Sequence, residues 1–513
     1  NIVRDLPVRQ WDNLQKKWLV HGLCVKILES LPEDTFWSKR ALQAKKVIVN
    51  RLIRLVDFKF QVGRQDSWMR PYQTIGSDFL LSAGSALLAD DPGLGKTAQS
   101  IQSILTAGCE RCLILCPATL KWNWEAQFKK HFGLDVLIIS GNAKQREKLW
   151  KTEHRFKIAN YELLQHDWNV MPKEWDAIIA DETIYLKTHS AKRTKLAKKL
   201  TATHRIGLSG VPLETKLDEL HSILEWARPE VVPGFFHFRK KFCIQDHFGN
   251  VVGYKNMDDF HLLTAPFILR RKKGDVLTEL PPKIYEDIPL KLDEKAAAAY
   301  SVLAGEFIKW LYSESDIENV KSPATILEQV IRLRQFVESP EIVGFDNIEN
   351  VKLSWLAELY KIIDKIVVFT PFLTSANRLR DFFKTSFVLT GEIPTSDRYS
   401  MVNKFNEAER GIMICTDAGR FGLDMIGAST IVHYGYFYNP GTMEQREDRL
   451  HRIGQRDVVH VLRPFIEGTI DVGIREIYMN RAAWALEFED GSTKMSQARL
   501  SKHAFEKLIY GEV

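Results

Sequence analysis

No run of this chain is apolar for the ~20 residues that a membrane-spanning helix requires. The longest candidate, Phe79 to Ala89, is short and bounded by Asp78 and Asp90, so no membrane partner is expected. The chain opens Asn1-Ile2-Val3-Arg4, without the apolar core of a secretory signal and without an initiator methionine. The expectation is a protein kept inside a cell, with its natural N-terminus upstream. Cysteine is scarce: Cys24, Cys109, Cys112, Cys116, Cys243 and Cys415 are too scattered for a disulfide framework, which suits a reducing compartment. Cys109-x-x-Cys112 has metal-ligand spacing, but no second pair follows and Cys112 and Cys116 fall in a strand pattern, so zinc is not expected. Repeats of solenoid length and long low-complexity tracts are also absent.

What is present is an ordinary globular composition, 45% hydrophobic and 27% charged, which supports real cores. At roughly 100–200 residues per domain, 513 residues allow three or four domains. The net charge of +6 is unevenly spread: residues 1–70 carry 14 Lys and Arg against 7 Asp and Glu, leaving the remainder near neutral. Such a segment fits a polyanion partner or a solvated basic helix face, and composition alone leaves both open.

Hydrophobic spacing divides the chain. Trp11, Leu14, Trp18 and Leu19 recur at helical intervals, and Lys39–Phe60 alternates basic and apolar residues in the same way, so 1–66 reads as a small, mainly helical, basic domain. Beyond it, short apolar strands alternate with helical stretches, the signature of an α/β fold around parallel sheets. Strands are predicted at Arg111–Cys116, Val136–Ser140, Lys157–Ala159, Ala177–Ala180 and Ile206–Ser209 in one block. In a second they fall at Ile366–Thr370, Phe387–Leu389, Gly411–Thr416, Thr430–Tyr434 and His460–Arg463. The expected organisation is two tandem α/β lobes, 67–230 and 351–475, with a helical insertion and linker over 231–350 and a C-terminal helix and tail over 476–513.

The strongest local motif is Asp91-Pro92-Gly93-Leu94-Gly95-Lys96-Thr97, followed by a helical run Ala98–Thr106. Gly93 and Gly95 let backbone N–H groups approach phosphate oxygens, and the helix N-terminus adds a favourable dipole. Lys96 can reach the β and γ phosphates of ATP, and the Thr97 hydroxyl can hold Mg²⁺. Asp90 stands where the full phosphate-loop pattern has its first glycine. An acidic pair, Asp181-Glu182, closes the apolar run Ala177–Ala180. Asp181 suits Mg²⁺ and its waters, and Glu182 suits positioning and deprotonating an attacking water. Gln445, Arg449 and Arg452 have helical spacing, and the two arginines suit arginine fingers on the transferring phosphoryl group.

Together these residues resemble the Swi/Snf-type ATPases of helicase superfamily 2, over about 68–475 and in that family's motif order. Met69-Arg70-Pro71-Tyr72-Gln73 looks like the adenine-reading motif, with Gln73 on the base. Cys116-Pro117-Ala118-Thr119-Leu120-Lys121-x-Asn123-Trp124 and Ala159-Asn160-Tyr161-Glu162 are similar to nucleic-acid-contacting motifs. Leu208-Ser209-Gly210-Val211-Pro212 resembles the motif coupling ATP to DNA. Pro266-Phe267-x-Leu269-Arg270-Arg271, with Leu280-Pro281-Pro282-Lys283, resembles the segment joining the lobes. Thr416-Asp417-Ala418-Gly419-Arg420-Phe421-Gly422-Leu423 and Asp448-Arg449-Leu450-His451-Arg452-Ile453-Gly454-Gln455 resemble the fifth and sixth motifs. The resemblance implies that the two lobes are RecA-like and that they drive ATP-dependent translocation along double-stranded DNA without sequence preference, by a monomer. The implied contacts are Pro117, Thr119, Lys121, Asn160, Tyr161, Phe372, Thr416 and Arg420.

The sequence departs from the family pattern at Thr183-Ile184, in place of Ala-His, and at Val211, in place of Thr. These changes predict an apolar Ile184–Val211 contact or two independently tolerated residues. Arg420 replaces a glycine and Asp424 an asparagine; Arg420 is expected either on a phosphate or paired with Asp417 or Asp424. Leu6-Pro7-Val8-Arg9-Gln10-Trp11 with Lys16-Lys17-Trp18 resembles the segment ahead of the motor in annealing helicases of the HARP type. Arg9, Trp11, Lys17 and Trp18 then become candidate contacts to branched DNA, such as forks and Holliday junctions, with core packing of the tryptophans as the competing reading. Alternatives are a motor that displaces or slides DNA-bound proteins, and a non-catalytic DNA-binding scaffold. The compact insertions suggest a bacterial or phage-infected cell.

Overall fold

The computed structural model describes residues 11–12, 17–18, 68–210, 217–229, 232–246, 251–277, 279–313, 323–420, 423–437, 440–489 and 507–511. Two compact units emerge, one running to Val276 and the other beginning at Leu277, apart from short C-terminal exchanges. The segment 231–350, expected to be a helical insertion and interlobe linker, spans the division at Val276. Among the described residues, no helix is long and apolar enough to cross a membrane.

The first described elements are β1 (Trp11–Asp12) and β2 (Lys17–Trp18), which pair antiparallel with Trp11 opposite Trp18. Helical spacing predicted a helix here. Tryptophan's preference for extended backbone favours paired strands instead. The remainder of 1–66, including Arg9, lies outside the described residues.

The first unit is built on β3 (Ser85–Leu88), β4 (Cys112–Cys116), β5 (Leu137–Ile138), β6 (Phe156–Asn160), β7 (Glu174–Asp181) and β8 (Thr201–Leu208). After β8 come a hairpin, β9 (Cys243–Gln245) with β10 (Val251–Tyr254), and β11 (Ile268–Leu269). The sheet runs β11-β3-β8-β7-β4-β6-β5, every neighbouring pair parallel. Strand β4 is an unbroken apolar run, and every one of its residues is buried, as expected of a parallel strand covered on both faces. The helix Pro71–Ala83 starts with proline at its first position and ends at Gly84, whose φ of 69° lets the chain reverse into β3. One apolar run from Phe79 thus serves as helix end and buried strand.

The second unit contains β12 (Lys283–Leu290), β13 (Lys365–Phe369), β14 (Val388–Leu389), β15 (Gly411–Cys415), β16 (Thr430–His433) and β17 (Val459–Ile466). They form a parallel sheet in the order β12-β17-β16-β13-β15-β14. Strand alternation builds two cores: Val367 and Phe369 of β13 pack with Met413 and Val461 on one face, and Ile366 and Val368 with Ile414 and Leu462 on the other. A third core joins the helices Glu294–Ser313, Pro323–Glu338 and Ile470–Glu489 through Tyr300, Leu333, Phe336 and Ile474.

Candidate active site

In a parallel sheet, the carboxyl ends of the strands share one edge, and the loops leaving that edge form the binding crevice. β3 leads through Asp90 to Gly95 into the helix Lys96–Thr106. Gly93 (φ 85°) and Gly95 (φ 75°) take left-handed backbone that turns the loop. A Cβ on Gly95 would lie 2.2 Å from Gln73 Nε2. Gln73 therefore braces the loop: its Nε2 donates to Leu94 O at 3.2 Å, while its Oε1 accepts from Arg70 N at 3.0 Å. Lys96 Nζ donates to Asp90 O (2.6 Å) and Asp91 O (3.1 Å). Burial lowers the Lys96 pKa, opposed by Asp90, Glu182, Asp181 and Asp91. The lysine thus lies within reach of the acidic pair. Thr97 stands partly exposed in the first turn of the same helix.

β7 delivers Asp181 and Glu182 to the same edge. Asp181 Oδ2 accepts from Trp124 Nε1 at 2.8 Å, and Oδ1 accepts from Glu182 N at 2.9 Å. Burial raises the Asp181 pKa, countered by the Trp124 hydrogen bond, Lys96 and the Glu182 N–H. Glu182 itself is left-handed (φ 52°), a conformation that a side chain bearing a Cβ seldom adopts, and it re-aims the chain immediately after Asp181. The donor set is oxygen only, a hydroxyl at Thr97 and a carboxylate at Asp181, which suits Mg²⁺. β8 ends in Ser209-Gly210, where a Cβ on Gly210 would sit 2.9 Å from Pro92 Cγ and 3.8 Å from Lys96 Nζ. The coupling motif therefore packs directly on the phosphate loop. Val211 lies outside the described residues, and with it the expected Ile184–Val211 contact.

The nucleic-acid candidates separate into two sets. Cys116 of β4 and Asn160 of β6 are register partners, so their loops adjoin, and Lys121 Nζ donates to Ile139 O (3.3 Å) and Asn160 Oδ1 (3.4 Å). Thr119, Lys121 and Asn160 are partly exposed beside Trp122, which keeps 50% of its surface and was missed in the sequence. Pro117 and Tyr161, by contrast, are buried. Tyr161 donates its hydroxyl to Asp181 O at 2.6 Å and stacks on Tyr185 with ring centroids 5.1 Å apart. An aromatic ring beside the buried end of β7 contributes to the core.

Arg271 is the largest addition to the expected site. β11 extends the sheet beside β3, and Ala89 N donates to Leu269 O at 2.7 Å. Arg271 then enters the core. Its Nε donates to Asp90 Oδ1 at 3.0 Å and its Nη2 to Gln99 Oε1 at 2.8 Å, and it also bonds Asp90 Oδ2 and Tyr72 O. Lys273 N donates to Asp91 Oδ2 at 2.7 Å. Arg270 and Arg271 fall in the segment read as joining the lobes, and an acid at the loop's first-glycine position, which demands a buried cation, was the available signal for Arg271.

In the second unit, the helix Pro440–Glu447 stops before Arg449. Arg449 and Arg452 lie in the overlapping turns that follow, rather than on one face of a helix with Gln445. Arg449 Nε donates to Gln445 O at 3.1 Å, and Arg452 is ion-paired with Asp424. Arg446, which sequence reasoning passed over, is buried, bonded to Asp417 Oδ1 at 2.6 Å and stacked 3.7 Å over Phe437. Asp417 and Asp424, the expected partners of Arg420, are thus engaged by Arg446 and Arg452. Arg420 closes the short 3₁₀ turn Asp417–Arg420. Thr416 is partly exposed after β15, and Phe372 caps the helix Leu373–Phe383 beneath Arg334 at 5.3 Å. Beneath the arginine segment lies a buried charge cluster. Glu447 and Asp448 meet Lys283 Nζ at 3.0 and 3.2 Å, and Glu447 also meets His433 Nε2 at 3.4 Å. Burial raises the Glu447 pKa, but Lys283 and His433 more than reverse it, to about 2.

The SNF2-related domain matches residues 10–342, and the helicase conserved C-terminal domain matches residues 351–454. An uncharacterized ATP-dependent helicase of Mycoplasma genitalium is 29% identical over 86% of this chain and 44% of its own length. One from Mycoplasma pneumoniae is 30% identical over 76% and 39%. The human SWI/SNF-related matrix-associated actin-dependent regulator of chromatin subfamily A member 1 is 26% identical over 87% and 45%. The chain thus spans less than half the length of each. Among solved structures, the Sulfolobus solfataricus SWI2/SNF2 ATPase core in complex with dsDNA is 26% identical, with a TM-score of 0.41, covering 82% of this chain and 93% of that one. With the SNF2-related domain alone matching well over half of its residues, the chain belongs to the SNF2-related family, followed in the usual order by a helicase C-terminal domain.

Proposed function

We propose that this chain is an ATP-driven motor that tracks along double-stranded DNA without sequence preference and remodels branched DNA inside the cell. One observation carries the reading: a single sheet edge gathers Lys96 and its glycine loop, the Asp181–Glu182 pair, and the exposed Thr119–Lys121–Asn160 patch. Hydrolysis and backbone grip thereby share one rigid element.

In this reading Gly93, Gly95 and Lys96 bind the ATP phosphates and Gln73 the adenine. Glu182 orients water and takes its proton. Thr97 and Asp181 hold Mg²⁺, which when bound offsets phosphate charge. Arg449 and Arg452, with Gln445, are assigned to the γ-phosphate end. Thr119, Lys121, Asn160, Phe372, Thr416 and Arg420 grip DNA phosphates, which carry no base identity. Arg9, Trp11, Lys17 and Trp18 are assigned to the branch point. The molecule acts as a monomer.

The test measures ATP hydrolysis with and without linear duplex, then ATP-driven processing of a fork, a Holliday junction and a partial duplex. Duplex should stimulate hydrolysis, and forks and junctions should be processed. Removal of residues 1–66 should spare the first activity and impair the second. Failure of duplex to stimulate hydrolysis defeats the motor reading. A second reading, a motor that displaces DNA-bound proteins, follows the similarity to the SWI/SNF-related regulator of chromatin. It gains if a protein roadblock is cleared while forks and junctions are left unprocessed.

A further inference from the structure

The first unit carries a concavity that neither the nucleotide site nor the Lys121–Asn160 patch uses. The helix Phe235–Phe242 anchors itself through Phe238 and Phe242, both fully buried, and leads directly into the β9–β10 hairpin. Between helix and hairpin lies a cavity of about 530 Å³ whose lining includes Phe235, Phe236, Arg239, Lys240, Ile244 and Lys255, with no carboxylate. Phe236 is 76% exposed, and Ile244 is 46% exposed. A single surface phenylalanine needs no explanation. An exposed ring set in an apolar hollow and ringed by three cations is a different arrangement.

We propose that this hollow binds unpaired nucleotides, with Phe236 stacking on a base and Arg239, Lys240 and Lys255 meeting the phosphates. The inference rests on the reading of the chain as a DNA motor. Charge complementarity requires an anion, and the exposed ring requires a flat apolar face. A single strand offers both at each nucleotide, whereas the bases of a duplex are already stacked on one another. Such a site would hold the strand exposed at a fork or gap while the motor engages the adjoining duplex.

The experiment uses the full chain and measures binding of a fluorescent oligo-dT of about 10 nucleotides and a blunt duplex of matched charge. It compares wild type, Phe236→Ala, Phe236→Trp and Lys240→Glu. Loss of one stacking contact should weaken oligo-dT binding about tenfold in Phe236→Ala. Phe236→Trp should retain wild-type affinity. Lys240→Glu should weaken oligo-dT binding and flatten its salt dependence. Duplex affinity and duplex-stimulated hydrolysis should stay within about twofold in every variant. Unchanged oligo-dT binding in Phe236→Ala, or an equal loss for duplex, overturns the proposal. Absence of duplex-stimulated hydrolysis in wild type defeats the motor reading instead, and the oligo-dT comparison still decides the hollow. Phe236 is exposed, so its replacement leaves the core intact.

Discussion

Single side chains set the chemistry at the carboxyl edge of the first sheet. Among the described residues, Trp124 Nε1 supplies the side-chain hydrogen bond to Asp181 Oδ2, and a hydrogen bond to a carboxylate contributes about 1.5–3 kcal/mol. Trp124→Phe keeps most of the packing and removes the donor. ATP turnover should fall roughly 10- to 100-fold while duplex affinity changes less than about twofold, checked by steady-state hydrolysis and fluorescence anisotropy. Arg452 offers the opposite case. Its partner Asp424 stands where the family carries asparagine, and the pair is partly exposed, worth at most about 1 kcal/mol. Asp424→Asn should therefore raise kcat by no more than about fivefold, by releasing the arginine; a decrease would show that the pair positions it productively. That Lys96, Asp181 and Glu182 come together was legible because glycine, lysine and paired acids have few other uses in that order. The burial of Tyr161 was not, because a tyrosine beside an asparagine reads equally well as surface or core.

At the scale of elements, two edge strands decide much of the site. β11 carries Arg271 to Asp90 beneath the phosphate loop, and β12 carries Lys283 to Glu447 and Asp448 beneath the arginine segment. Arg271→Ala strands a fully buried carboxylate, so the first unit should lose about 3–5 kcal/mol in denaturant unfolding. Asp90→Asn combined with Arg271→Met should lose markedly less, and a purely additive double mutant would exclude the pairing. The Glu447 cluster makes the second unit acid-sensitive. Its folded pKa of about 2 lies below the ordinary 4.5, so the stabilisation is complete above about pH 4.5 and fades as pH falls toward 2. The shift corresponds to on the order of 3 kcal/mol. His433, whose pKa burial lowers against the pull of Glu447, adds to loss on the same acid side. Hydrogen exchange in β16 and β17 at pH 6 and pH 3 should show this loss, and Glu447→Gln should lessen the pH dependence. Neither edge strand was read from the sequence. β11 has two residues, and β12 mixes charges with Pro289, which is tolerated because an edge strand leaves one side unpaired.

For the molecule as a whole, grip on phosphates predicts that log affinity for duplex falls linearly with log salt, with a slope of about −0.9 per phosphate contacted. Lys121→Ala should reduce that slope by about one without changing preference among sequences, measured by titration at several salt concentrations. The sequence by itself determined the two α/β lobes, their order, and the candidates for the nucleotide site, because apolar periodicity and phosphate chemistry are local and leave a pattern in the chain. Tertiary structure alone decided where the segment 231–350 divides, that Arg271 and Lys283 belong to buried charge networks, and that Phe236 faces a cationic hollow. Each of these depends on contacts between residues far apart in the chain, where pairing and burial are set by sheet order and packing rather than by neighbouring residues.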